Sequence, residues 1–234
     1  RITDARQRAL NYPARPLPPS LDFELTKARL KARYQGDVKS NITYFNRQLD
    51  KKRYVLKEAA QYGLALSYFE NKQTVKAQEL LLQLLATDAN NLFYVDALTD
   101  VYIANNQTDK AISMLKQLNL FMPNNQVVSL NYANALLADK QFDLSAQILQ
   151  DFLLVNPGNF IAYDLLTNLY RSQGKIGLMH MNKAEVLALL GAYSKAVDEL
   201  QTSYGFLEEQ PLMQKRVKAR ILQFQEQESR LKRL

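Results

Sequence analysis

The sequence predicts an all-α protein: a right-handed solenoid of antiparallel helix hairpins with capping helices at both ends. Three observations predict it. One 34-residue pattern is written three times between Glu58 and Asn159, as 58–91, 92–125 and 126–159. The copies close alike, on Thr87-Asp88-Ala89-Asn90-Asn91, Phe121-Met122-Pro123-Asn124-Asn125 and Val155-Asn156-Pro157-Gly158-Asn159. Gly and Pro are scarce, seven each in 234 residues, and alternation of period two is rare.

Counted from the first residue of each copy, a small or short residue stands at the eighth position (Ala65, Thr99, Ala133) and another at the twentieth (Ala77, Ala111, Ser145). Large apolar residues stand at the seventh (Leu64, Leu98, Tyr132), eleventh (Tyr68, Tyr102, Leu136) and twenty-fourth (Leu81, Leu115, Leu149). Positions seven, eight and eleven form one apolar stripe on a first helix, and twenty and twenty-four form the facing stripe on a second. Small residues at eight and twenty let the two backbones approach. The spacing resembles the tetratricopeptide repeat, without the Trp usual at its fourth position, since the chain has none. One such hairpin leaves its apolar face bare, so copies must stack.

The other elements follow in order. Residues 1–21 read as the tail of a preceding domain and a linker, because Pro13, Pro16, Pro18 and Pro19 forbid a helix there. Asp22 is the expected N-cap of the next helix. Residues 22–35 and 38–52, broken at Gln35-Gly36-Asp37, read as a degenerate pair that caps the stack over 22–57. The internal turns of the three clear repeats are Asn71-Lys72-Gln73, Asn105-Asn106-Gln107 and Asp139-Lys140-Gln141. Over 160–206 two degenerate repeats overlap. Phe160–Arg171 is a first helix, and Ile176–Leu190 has Met179 where its second helix needs a small residue. The same segment fits a new first helix, with Ala184 eighth and Ala196 twentieth. One helix therefore serves two units, and the superhelical path is expected to change there. Gly205 and Pro211 interrupt the pattern. Residues 212–233 read as a polar helix with an apolar stripe of Val217, Ile221, Phe224 and Leu231, the C-terminal cap within 207–234.

The net charge of +7 is uneven. Residues 1–53 carry 13 basic and 5 acidic side chains, 54–206 carry 10 and 14, and 207–234 carry 7 and 4. The repeats are mildly acidic, so nucleic acid, which needs a basic groove, is not the expected partner. The absence of cysteine excludes thiolate metal sites and disulfides. No apolar run approaches the ~20 residues of a membrane span. The chain holds no H-E-x-x-H, no nucleophile–base pair and no phosphate loop, so no catalytic residue is assigned. Its single histidine, His180, lacks the companions of a zinc site and reads as a packing or surface residue.

The candidate site is the inner wall of the stack, formed by positions two, five, nine, twelve and thirteen of each first helix. These are Tyr62, Leu66 and Phe69; Phe93, Asp96, Asp100 and Ile103; Val127, Leu130, Asn134 and Leu137; and Ile161, Asp164, Asn168 and Arg171. Asn134 and Asn168 occupy the same position in successive repeats. A side-chain amide both donates to and accepts from a backbone, so the expected ligand is a protein or extended peptide. Asp96 and Asp164 stand where a carboxylate clamp needs Lys, which disfavours capture of a C-terminal carboxylate.

Arg1-Ile2-Thr3-Asp4-Ala5-Arg6, Ala59-Ala60-Gln61-Tyr62-Gly63 and the ending from Lys218-Ala219-Arg220-Ile221 to Leu231 carry a further resemblance. They are similar to the periplasmic β-barrel assembly-enhancing proteases, with the opening phrase matching the end of the family's protease domain. The resemblance implies a piece of an exported, periplasmic zinc metallopeptidase whose H-E-x-x-H and zinc lie outside these residues. It implies a repeat domain that docks on its own protease domain and contacts the outer-membrane β-barrel assembly machinery and its clients. Charge alone suggests that the basic end regions face the protease domain, an expectation that charge reversal at Lys27, Lys31 and Arg33 would test. Without the resemblance, the same repeats would fit a free-standing scaffold or assembly factor.

Overall fold

A computed structural model describes residues 18–233. The tail and most of the linker expected within 1–21 lie outside the described residues. These residues form twelve α-helices and no strand. The described residues divide into two compact units, parted between Ala89 and Asn90.

The first unit holds α1 (Leu21–Tyr34), α2 (Val38–Asp50), α3 (Lys57–Glu70) and α4 (Thr74–Thr87). Ser20, not Asp22, caps α1: its hydroxyl accepts from the Phe23 amide at 3.4 Å. Asp22 lies two residues further in, in the first turn, where its charge meets the positive end of the helix dipole. Asp37 caps α2 through the Ser40 amide at 2.9 Å. The α3–α4 turn passes through Lys72 at φ 61° and closes with Lys72 N–H to Phe69 C=O and Gln73 N–H to Tyr68 C=O. The same double closure recurs at Asn106, Lys140, Gly174 and Gly191, all with positive φ, so the hairpin turns share one geometry.

Helix α3 is the centre of this unit, and α1, α2 and α4 all pack on it. Ala65 and Ala77, the small residues at the α3–α4 seam, are both fully buried, as is Leu81. Each buried leucine of this kind contributes about 1.5–3 kcal/mol. Gly63 receives the Phe45 ring of α2 so closely that a Cβ at Gly63 would lie 2.3 Å from a ring carbon.

The second unit holds α5 (Leu92–Ala104), α6 (Thr108–Phe121), α7 (Gln126–Ala138), α8 (Phe142–Val155), α9 (Phe160–Ser172), α10 (Ile176–Leu189), α11 (Tyr193–Gly205) and α12 (Pro211–Leu231). The recurring asparagines play one role. Asn91, Asn125 and Asn159 are the N-caps of α5, α7 and α9, each accepting from backbone amides of the first turn. Ala133 and Ser145 are fully buried where α7 meets α8, and the Ser145 hydroxyl donates to the Ala133 carbonyl at 2.8 Å. Behind them Leu149, Phe152, Ala162, Leu166 and Leu169 form one core cluster.

Beyond α9, helix α10 packs extensively on both α9 and α11. Ala184 and Ala196, the small residues of the second phasing, are both fully buried and share a cluster with Val217 and Phe224 of α12. The Ser203 hydroxyl donates to the Gly177 carbonyl at 2.7 Å, tying α11 to the start of α10. Gly205 closes α11, and Pro211 opens α12 at its first turn, where its missing N–H removes no helix bond. The expected stripe of α12 is shorter than its pattern. Val217 and Phe224 are buried and Ile221 half-buried, but Leu231 is 52% exposed because it lies in the last turn.

Candidate polypeptide-binding faces

In the first unit one of the three expected inner-wall residues keeps exposed surface. Phe69 is half-buried, but Tyr62 and Leu66 are 0% and 1% exposed. The reason lies in α3 itself. Nearly every residue from Ala59 to Ser67 is buried, and a helix apolar on all sides belongs to the interior. Tyr62 is thus a core residue and offers no surface to a partner.

In the second unit α7 packs against α5 and α9, placing the first helices of three hairpins side by side. Phe93, Asp96, Asp100 and Ile103 are half-buried on α5. Asp96 is engaged within the unit: Asn131 of α7 donates to its Oδ1 at 2.9 Å and also to the Val127 carbonyl. Asn131 was not among the expected residues, and it stands where the neighbouring repeats have Ala97 and Leu165, so no periodicity marks it. On α7, Val127, Asn134 and Leu137 are half-buried and Leu130 is buried. The Asn134 amide has no hydrogen-bond partner among the described residues. On α9 the polar residues bond to one another. Asn168 donates to Asp164 at 3.3 Å and accepts from Arg171 at 2.8 Å. Ile161, Asp164 and Arg171 are exposed. The two asparagines therefore differ: Asn134 presents an open amide, while Asn168 must leave internal partners to meet a ligand.

His180 joins α10 to α11. Its Nδ1 lies 2.5 Å from Glu199 Oε2, the Lys183 ammonium lies 2.6 Å from Glu199 Oε1, and the Phe206 ring stacks on the imidazole. Burial alone raises the Glu199 carboxyl, yet the hydrogen bonds from Lys183 and His180 hold it below its ordinary range. Glu199, 19 residues from His180, had no local signal to connect the two. A lysine beside this pair opposes a bound cation. No group of three or more His, Cys, Asp or Glu placed to hold a metal occurs among the described residues.

Arg220 grips Glu185 with two hydrogen bonds of 2.7 and 2.6 Å and lies 4.4 Å over the Phe224 ring, fastening α12 to α10. These hydrogen bonds raise the guanidinium pKa further, against the effect of burial. No described helix is long and apolar enough to cross a membrane.

A tetratricopeptide-repeat profile matches residues 102–169. A putative β-barrel assembly-enhancing protease of Vibrio cholerae serotype O1 is 44% identical over 102 residues, covering 43% of this chain and 21% of that protein. The β-barrel assembly-enhancing protease of Yersinia pestis is 32% identical over 101 residues, with the same shares covered. The matched stretch thus spans about a fifth of these relatives. Among solved structures, a thermophilic tetratricopeptide-repeat protein from Thermus thermophilus superposes with a TM-score of 0.59 at 19% identity, over 78% of this chain and 100% of that one. That likeness concerns the fold.

Proposed function

We propose that this tetratricopeptide-repeat chain, homologous over 102 residues to β-barrel assembly-enhancing proteases, is the client-handling part of an exported zinc metalloprotease. In this reading the bond-breaking machinery and its zinc lie outside these residues. The chain recruits or orients outer-membrane protein clients and their assembly machinery in the periplasm for quality control. The observation that carries the proposal is the 44% identity, over 102 residues, to a putative β-barrel assembly-enhancing protease. The geometry supports it with a row of first helices whose half-buried apolar residues Phe93, Val127 and Leu137 flank the open amide of Asn134. An extended segment lying across α5, α7 and α9 would meet apolar contacts and one backbone-reading amide.

Docking on the family's protease domain is part of the same proposal, with a changed residue set. Arg33 is already 3.7 Å from Glu70 inside the unit, and Lys27 is paired with Glu24, leaving Lys31 the better docking cation.

The test is retention of an unfolded outer-membrane β-barrel polypeptide on the immobilised chain. Asn134→Ala is expected to weaken binding by about tenfold, the worth of one good hydrogen bond to a backbone. Asn168→Ala is expected to weaken it less, since that amide already has partners. Unchanged retention in both variants overturns the assignment of this face. The coding sequence upstream of Arg1 separates the reading from a free-standing scaffold: H-E-x-x-H belongs to the first only.

A further inference from the structure

The cleft between α1 and α2 has the wrong shape for a hairpin core and the right lining for a ligand. Helices α1 and α2 touch little, though each packs closely on α3. Near their turn they are pinned by Asn41, which is 1% exposed and donates to the carbonyls of Lys31 at 3.0 Å and Gln35 at 2.8 Å. Beside that pin the two helices and the segment leading into α3 leave a cleft of about 480 Å³. Its floor is apolar, with Ala28, Phe45, Ala59 and Ala60 buried. Its rim carries exposed apolar side chains, Leu30 at 47%, Tyr44 at 42% and Val55 at 60%.

The charge of the lining is one-sided. Lys27, Lys31 and Arg53 face a single carboxylate, Glu24, and Lys27 already neutralises it at 2.9 Å. The Lys31 ammonium lies 4.7 Å over the Tyr44 ring, and Arg53 is exposed at the opposite wall. Two cations therefore flank an apolar floor with no counter-charge among the cleft's own residues. This pattern takes a large apolar side chain on the floor and carboxylates at the rim.

We infer that the α1–α2 cleft is a second polypeptide-binding site, for an acidic segment that inserts one aromatic side chain between carboxylates. The site belongs wholly to the first unit and does not depend on the face proposed for α5, α7 and α9. A polyanion such as RNA would engage the cations but leave the apolar floor empty, so the lining favours protein.

The chain contains no Trp, so the fluorescence of a ligand's tryptophan can be read without background. The probe is a synthetic peptide with a single Trp between two Asp on each side, titrated with the full chain. The expected result is a saturable blue shift at one peptide per chain. The double variant Lys31→Glu/Arg53→Glu, with unchanged helical circular dichroism, is expected to weaken binding at least about tenfold, as loss of complementary charge does. Val55→Asp on the rim is expected to weaken it as well, while Asn134→Ala leaves it unchanged. Equal affinity in the double variant overturns the inference. So does equal binding of a peptide with Lys in place of Asp, or a single-stranded RNA that displaces the probe and binds more tightly.

Discussion

Two hairpins of the first unit lie 36 residues apart in sequence, from Leu21 to Lys57 and from Val38 to Thr74, yet they pack differently. In α3–α4 the seam residues are Ala65 and Ala77, both fully buried, and the helices meet along their length. The residues at the same places in α1–α2 are Arg29 and Asn41. An amide in place of a methyl group needs partners when buried. Asn41 finds them in the carbonyls at the end of α1. The hairpin with Asn41 at its seam is pinned at its turn and leaves a cleft, while the hairpin with alanines is closed. Small residues in this fold determine where the stack is solid and where it can receive something.

The largest effect that should sharpen the comparison is at Phe45. Its ring is 3% exposed and rests on Gly63, the contact that holds α2 on α3. Phe45→Ala is expected to cost about 3–5 kcal/mol in urea unfolding, as other buried Phe→Ala changes do. Asn41→Ala comes next, at about 1–3 kcal/mol, because the Lys31 and Gln35 carbonyls lose their donor. Ala77 in the closed hairpin makes no such bond, so Ala77→Asn should destabilise rather than open a cleft, by burying an amide in a seam built for a methyl group.

The smallest effect is a pH dependence present at the cap of α2 and absent at the matching cap of α4. Asp37 caps α2, and hydrogen bonds from Ser40 lower its pKa below 3.8. Its folded value is depressed, so its contribution is fully present above 3.8 and is lost as pH falls through the folded value. The corresponding residue of α4, Gln73, makes no side-chain cap and does not titrate. The difference in melting temperature between the native chain and Asp37→Asn is expected to change between pH 5 and pH 3, while a Gln73→Asn variant keeps a constant difference.

Much of the fold was legible because hairpin repeats write their geometry locally. The asparagines at 91, 125 and 159 sit where a helix must begin, and the small residues at 65, 77, 111, 133 and 145 sit where backbones meet. Ala184 and Ala196, the small residues of the second phasing, are fully buried in the same way. The candidate site was less legible. Position in the repeat says which way a side chain points but not what covers it, and Tyr62 proved buried because α3 is apolar all round. Long-range polar partners, Asn131 with Asp96 and His180 with Glu199, leave no periodic trace. The cleft between α1 and α2 was hidden for the same reason: the weak apolar pattern of 22–57 read as a solvated cap, and an absence of small residues does not announce a cavity.

The open hairpin can be measured directly because the chain has no cysteine, so introduced pairs carry the only labels. Nitroxides at Asp22 and Asp50 span the free ends of α1 and α2, and nitroxides at Glu58 and Ala86 span the matching ends of α3 and α4. Double electron–electron resonance is expected to give a longer mean distance for the first pair than for the second. Equal distances would contradict the open cleft.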